Sequence, residues 1–246
     1  MTAAVPAIAV RDLHKSFGRF QAVKGISFDV APGEIVGFLG PNGAGKTTTI
    51  KMITGLLKIS AGTVLIGGLD NQKHLAVIKK KLGYMSQKFS LYPLLTALEN
   101  IEFFGGISGL APGELRSNMD LIEAQIAPDV LKQKIQDVPP GIRQKVALFV
   151  CLLPEPEIIL LDEPTSGVDP EARRHFWNEI YGLKKRGKTL LVSTHNLDEA
   201  EYCDRIIIIH NGEIVAAGEP DDLLRRKRKA NIEELFQDAI KNHGQN

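Results

Sequence analysis

The sequence predicts an α/β fold with a mixed, mainly parallel sheet core, an antiparallel β subdomain and a helical subdomain. Three patterns carry that prediction. Residues 8–30 alternate apolar and polar side chains about a Gly-Arg turn, as an antiparallel hairpin does. Compact apolar runs beginning at Glu34, Glu157 and Lys188 alternate with helical patterns, the arrangement of parallel strands covered on both faces. From about Thr96 to Gln136 the pattern is mostly helical and separates two parts of that core.

In chain order, IAVRDLHKSF and AVKGISFDV form the hairpin, which Ala31-Pro32-Gly33 closes. EIVGFLG reads as a short buried strand that breaks into a glycine loop, followed by an amphipathic helix through TTTIKMITGLL. SAGTVLIGG is hairpin-like, and KKLGYMSQ leads into the helical stretch. Beyond it, GIRQKVALFVCLL predicts a helix with one buried side, EIILLDEP a buried parallel strand ending in two acids, and ARRHFWNEIYGLKKRG a helix. KTLLVSTH is a further strand, DEAEYCDR a short helix and RIIIIHNGEIVAAG a hairpin. From Pro220 the chain is polar and helical. The run Arg225-Arg226-Lys227-Arg228-Lys229 inside it reads as a solvated face neutralised by Asp221, Asp222, Glu233 and Glu234.

Composition narrows the function classes. Lys plus Arg (30) against Asp plus Glu (29) leaves a net charge of +1, which argues against a strongly basic nucleic-acid binder, so no nucleic-acid partner is expected. With 43% apolar and 24% charged residues the chain can bury a substantial core. Its longest apolar stretch, Val146 to Leu153, is far short of the ~20 residues that cross a bilayer, and the opening residues lack a basic start, so a cytoplasmic chain is expected. Cys151 and Cys203 have no paired spacing and read as buried thiols.

The chemistry begins at Gly40-Pro41-Asn42-Gly43-Ala44-Gly45-Lys46-Thr47, which matches G-x-x-x-x-G-K-[ST]. Glycines at this spacing let backbone N–H groups turn inward around phosphate oxygens, while the following helix presents its positive end to the same anion. Lys46 is expected to reach the β and γ phosphates and Thr47 to help hold Mg²⁺. A second pair, Asp162 and Glu163, closes an apolar strand; there Asp162 suits Mg²⁺ and Glu163 suits a general base for hydrolysis. No N-K-x-D motif for reading guanine occurs, so ATP is favoured over GTP.

The order of motifs resembles the ATPase subunit of an ABC transporter. GPNGAGKTT, through Thr48, is followed by YMSQ with Gln87, LLTALEN, LLDEPTSGVDP and STH with His195, and the likeness runs from about Ile8 to Pro220. It implies that Gln87 touches Mg²⁺ and the attacking water, that Ser166, Gly167 and Asp169 cross to a second ATPase subunit, and that His195 senses the γ-phosphate. It also places Phe17 under adenine, where a phenyl ring can stack. The cofactors implied are ATP and Mg²⁺.

The chain departs from the family at one place. Where Leu-Ser-Gly-Gly-Gln is usual, it reads Val138-Pro139-Pro140-Gly141-Ile142, followed by the expected Arg143-Gln144-Lys145. Serine and glutamine are absent, and neither proline has an N–H. Pro140 suits a first helical turn, and the N–H groups of Gly141, Ile142 and Arg143 are expected to stay free for an anion. A signature of this kind is similar to ABC-2 type ATPases, exporters of drugs, polysaccharides and lipids with separate membrane-spanning permease subunits.

The resemblance implies one ABC ATPase domain over 1–246: a nucleotide-binding core with its β subdomain over 1–86 and 138–220, a helical subdomain over 87–137 and a helical tail over 221–246. Two such subunits, in a homodimer or heterodimer, would sandwich ATP on the cytoplasmic face of the membrane and drive export. Two alternatives stand beside this: a catalytically weak ATP-binding partner in a heterodimer, and a soluble ABC protein not tied to transport.

Overall fold

The computed structural model describes residues 5–88 and 91–243. Residues 1–4, 89–90 and 244–246 lie outside the described residues, and with them the outermost parts of the expected core and tail and two positions of the expected helical subdomain.

Strands β1 (Ile8–Phe17) and β2 (Phe20–Val30) form the predicted hairpin, with Phe17 opposite Phe20 at its tip. Strand β3 (Ile35–Leu39), all five residues buried, runs into the glycine loop and helix α1 (Lys46–Ile53). The SAGTVLIGG segment forms β4 (Ala61–Ile66) and the short β5 (Leu69–Asp70), and α2 (Leu75–Lys79) precedes β6 (Leu82–Met85). Helix α2 is only five residues long, too short to show a 3.6-residue period, and was not expected from the sequence.

The helical stretch divides into α3 (Ala97–Ile107), α4 (Pro112–Glu123) and α5 (Pro128–Leu131), with a 3-10 turn at Ile135–Asp137. A reciprocal cap opens α3: Thr96 accepts from the Glu99 N–H while Glu99 accepts from the Thr96 N–H. Prolines at the first helical positions of α4 and α5 start those helices because their fixed φ suits the turn and their missing N–H is not needed.

The chain then forms α6 (Pro140–Leu152), β7 (Ile158–Asp162), α7 (Pro170–Lys185), β8 (Thr189–Thr194), a 3-10 helix at Leu197–Tyr202, β9 (Arg205–His210) and β10 (Glu213–Gly218). The tail is α8 (Pro220–Lys227) and α9 (Ile232–His243). The basic run is therefore not one helical face: α8 ends at Lys227, and Arg228 takes a left-handed backbone with φ 53°. Asp222 pairs with Arg225 and Arg226, and Lys229 meets Asp238 at 2.7 Å, so a carboxylate beyond the four expected helps neutralise the run.

Two sheets result. One is antiparallel in the order β2-β1-β4-β5; the other runs β10-β9-β3-β8-β7-β6, parallel except for the β10 edge. Alternation along the central strands explains their continuous apolar character. Val36, Phe38, Leu160, Leu191 and Ile207 face one core with α1 and the antiparallel sheet, while Ile35, Leu39, Leu161, Val192 and Ile208 face a second core against α6 and α7. Phe28 and Phe38, with ring centroids 5.7 Å apart, join the two sheets. A third core lies among α3, α4, α5 and α6. Among the described residues no helix is long and apolar enough to cross a membrane.

The register aligns the carboxyl ends of the parallel strands: Leu39 lies opposite Thr194, Asp162 opposite Ser193 and Met85 opposite Leu161. The segments that leave these ends carry the glycine loop, His195, Glu163 and Gln87. Ligands of open α/β sheets bind at this edge.

Candidate active site

The glycine loop follows β3 and ends at Gly45, whose φ of 109° directs the chain into α1. A side chain at Gly45 would put its Cβ 2.8 Å from Ala22 O, and one at Gly40 would lie 2.3 Å from Ile209 O, so both positions require glycine. Asn42 and Gly43 are exposed, Pro41, Thr47 and Thr48 are half-buried, and Ala44 is buried. The loop thus packs on its inner side and opens outward at its tip.

Lys46 is 4% exposed and turns back over the loop, donating to Gly40 O at 2.7 Å and Pro41 O at 3.2 Å. Its Nζ also lies 3.1 Å from Glu163 Oε1. The other carboxylate oxygen, Oε2, accepts from Gln87 Nε2 at 2.9 Å and sits 3.1 Å from His195 Nδ1. Glu163 follows β7 directly in a left-handed conformation, φ 49°, anchored by its N–H to Ser193 O and Oγ. That uncommon backbone for a non-glycine residue turns the carboxylate toward the loop.

Asp162, wholly buried, accepts on Oδ1 from Thr47 Oγ1 at 3.0 Å and Ser193 Oγ at 2.7 Å. Burial raises its pKa, and the bonds from Ser193 and Thr47 oppose that rise. Ser193 was not expected in the site; a small polar residue at the end of an apolar strand was the only signal. Tyr84 stands near Asp162, its phenol pushed up to about 12 by burial first and by that charge second. The thiols behave as expected: Cys151 and Cys203 are free and buried, and burial pushes the Cys151 pKa up to about 12.

The structure therefore gathers Lys46, Thr47, Gln87, Asp162, Glu163 and His195 at one edge. Ser166 and Gly167 line a cavity of about 290 Å³ together with Glu163 and His195. Asp169 caps α7, accepting from the Glu171 and Ala172 N–H groups, which holds its carboxyl below the usual range. Phe17 is 49% exposed and carries Lys15 Nζ 4.9 Å from its ring centroid.

Val138 is buried, whereas Pro139, Pro140, Gly141 and Ile142 line a separate cavity of about 600 Å³ with Gly167, Val168 and Asp169 between α6 and α7. One expectation is corrected. The Arg143 N–H is not free, because it donates to Pro139 O at 3.0 Å as the first bond of α6. Only Gly141 and Ile142 precede that bond with an N–H to offer.

The donor set fits a hard cation. Asp162 Oδ2 is buried with no hydrogen-bonding partner among the described residues, beside the Thr47 hydroxyl, which suits Mg²⁺ held by oxygen ligands.

Comparison with known proteins decides the family. The profile described as ABC transporter matches residues 23–166, more than half of the chain. This chain belongs to the ABC transporter family, among its ATP-binding domains. It is 45% identical over 230 residues to the probable multidrug ABC transporter ATP-binding protein YbhF of Escherichia coli (strain K12), covering 92% of this chain and 39% of the relative. The chain thus spans about two fifths of that relative. It is 35% identical over 232 residues to the Nod factor export ATP-binding protein I of Paraburkholderia xenovorans (strain LB400), covering 94% and 76%. A solved ATP-binding subunit of an ABC transporter superposes with a TM-score of 0.84 at 30% identity, covering 95% of this chain and 99% of the other. The dimeric post-hydrolysis state of the ATP-binding cassette MJ0796 bound to ADP and Pi gives 0.77 at 29%, covering 86% and 98%.

Proposed function

We propose that this ABC ATP-binding domain hydrolyses ATP to ADP and phosphate in a pair of such subunits, and that the pair energises export through separate membrane-spanning chains. The observation that carries the reading is Glu163: Lys46, Gln87 and His195 converge on one buried carboxylate at the mouth of the glycine loop.

The loop N–H groups and Lys46 bind the phosphates, and Thr47 and Asp162 hold Mg²⁺, with Gln87 beside them. A Mg²⁺ ion held by these residues would supply positive charge to offset that of the phosphates. Glu163 accepts a proton from water as the water oxygen bonds to the γ phosphorus and the bond to the β-phosphate oxygen breaks; the proton then passes to the released phosphate. Gln87 orients the water, and His195 donates to the γ-phosphate. Phe17 stacks on adenine, and Ser166, Gly167 and Asp169 meet the partner subunit, whose own 138–143 segment closes the site.

The domain reading of one module, with 87–137 inserted between 1–86 and 138–220 and followed by the 221–246 tail, is supported by the helical core that α3, α4 and α5 form, to which Val146 and Leu153 of the 138–220 part also contribute. Docking to membrane subunits on the cytoplasmic face is supported by exposed Tyr92, Leu94, Phe103 and Ile107, at 48%, 69%, 40% and 68%, in the helical segment that follows Gln87 in the chain. The names of the relatives, multidrug transporter and Nod factor export, favour an exporter, and the proline signature favours the ABC-2 type.

The test is phosphate release by the purified chain alone, with Glu163→Gln as control. Hydrolysis lowered about 10²–10⁴-fold by the substitution supports the reading. No hydrolysis without a second, different ATPase chain would favour the weak partner of a heterodimer, the reading that Pro139 and Pro140 suggest.

A further inference from the structure

A buried charged cluster beside the site has no part in the chemistry above. Glu199 is fully buried on the 3-10 helix that follows His195. Its Oε1 accepts a short hydrogen bond from Thr165 and lies 3.5 Å from Arg173 Nε on α7. Glu199 Oε2 and Arg173 Nε have no hydrogen-bond partner among the described residues, and both side chains line the cavity that Glu163 and His195 also line.

The three attachment points bracket the residues proposed to act between subunits. Thr165 starts the 165–169 loop, and Val168 N–H returns to Thr165 O at 3.4 Å. Arg173 lies just past it on α7, one helical turn beyond Asp169, whose carbonyl accepts the Arg173 N–H at 3.0 Å. Glu199 N–H donates to Asn196 O at 3.2 Å, so a shift of Glu199 is passed to the turn that carries His195. An ion pair whose carboxylate is fully buried is a poor source of stability, since apolar side chains of equal volume serve as well; its best-attested use is to fix register.

We infer that Glu199, with Arg173 and Thr165, is a positioning residue that locks the 165–169 loop and the His195 turn together. The subunit contact and the γ-phosphate contact are then set as one unit, and ATP held at one site reports to the other. The inference rests on the proposed ATP-driven dimer.

The experiment measures that dimer directly. In a Glu163→Gln background, ATP-dependent dimerisation is followed by sedimentation, and binding of mant-ATP is measured at protein concentrations where the chain is monomeric. Glu199→Gln keeps the shape and an oxygen for Thr165 but removes the charge; Arg173→Gln makes the complementary change at a part-exposed position. Each is expected to weaken the dimer about tenfold, the double variant no more than either single one, with mant-ATP affinity within about twofold of the background. Dimer affinity unchanged in variants that melt like the background would overturn the inference, as would single effects that simply add. If Glu199→Gln melts early, Arg173→Gln alone decides. A Glu163→Gln chain that never dimerises with ATP would sink the proposed function, and this inference with it.

Discussion

Glu163→Gln should bind ATP more tightly while hydrolysing it far more slowly. Glu163 uses both carboxylate oxygens, Oε1 for Lys46 at 3.1 Å and Oε2 for Gln87 at 2.9 Å and His195 at 3.1 Å. A glutamine has the same shape but one oxygen. Turned toward Lys46, its amide N–H₂ faces the N–H₂ of Gln87; turned the other way, it faces the ammonium. The Lys46 ammonium keeps a charge-assisted hydrogen bond to the amide oxygen but loses the Coulomb attraction of the carboxylate, about 1 kcal/mol for two unit charges ~4 Å apart in water and more in a partly buried site, so Lys46 is held less firmly by about 1–1.5 kcal/mol.

Lys46 keeps its bonds to Gly40 O and Pro41 O, and the phosphates then compete with a weaker internal partner. At 1.4 kcal/mol per tenfold, ATP affinity should rise about five- to twelvefold. Fluorescent-nucleotide titration of dilute protein reads this affinity, and phosphate release reads the loss of hydrolysis. Gln87→Ala is the control, since it leaves the Lys46 contact intact and should not tighten binding. Equal or weaker ATP affinity in Glu163→Gln would refute the idea that Glu163 competes with the phosphates for Lys46.

Asp162→Asn should raise the melting temperature of the nucleotide-free chain in EDTA by about 2–4 °C, the shift for ~1 kcal/mol in a domain of this size, while abolishing Mg²⁺-dependent ATP binding. The sign follows from its raised pKa: the native carboxyl holds a proton more tightly than the unfolded one, so its burial cost is absent at low pH and develops as pH rises through the raised value. The melting difference should therefore be larger near pH ~7.5 than near pH ~4. Gly45→Ala, forced into φ 109° with its Cβ 2.8 Å from Ala22 O, should lose nucleotide binding in equilibrium dialysis while melting lower than the parent. Phe38→Ala should cost about 3–5 kcal/mol in urea unfolding, because a fully buried ring joining the two sheets is removed.

The strands and the glycine loop were legible because their signals are local. An apolar run such as EIILLD and a glycine spacing such as GPNGAGKT need no knowledge of what lies opposite. Ser193, Arg173 and Glu199 were not legible, because each looks like an ordinary polar residue until the sheet order places β8 between β3 and β7 and sets the 3-10 helix against α7. The order of motifs implied that Lys46, Gln87, Glu163 and His195 serve one nucleotide site, but not that the other three meet on the Glu163 carboxylate; spacing alone does not say which strand ends meet. Helix α2 failed for a different reason, its length being about one and a half turns.

The signature segment shows how a small geometric fact changes a functional expectation. The sequence placed Pro140 at a helix start, and α6 does begin there, with Pro139 as the residue before it. Four N–H groups are normally free at such a start, those of the capping residue and the first three helical ones. Here the first two belong to prolines and do not exist, and the fifth, from Arg143, is spent on Pro139 O. The end therefore offers two donors, from Gly141 and Ile142, where an ordinary sequence offers four and a serine hydroxyl adds a fifth. If this segment closes on the partner's γ-phosphate, Pro139→Ser with Pro140→Gly restores two N–H donors and a hydroxyl at once. Each hydrogen bond to a charged group is worth about 1.5–3 kcal/mol, so a gain from even one of them should raise the ATPase rate of the purified chain at least about tenfold. The gain must exceed what the glycine costs in loosening the first turn, which is about 1 kcal/mol and is read separately from the melting curve. An ATPase rate that does not change in a double variant that stays folded would mean that the segment does not touch the phosphate.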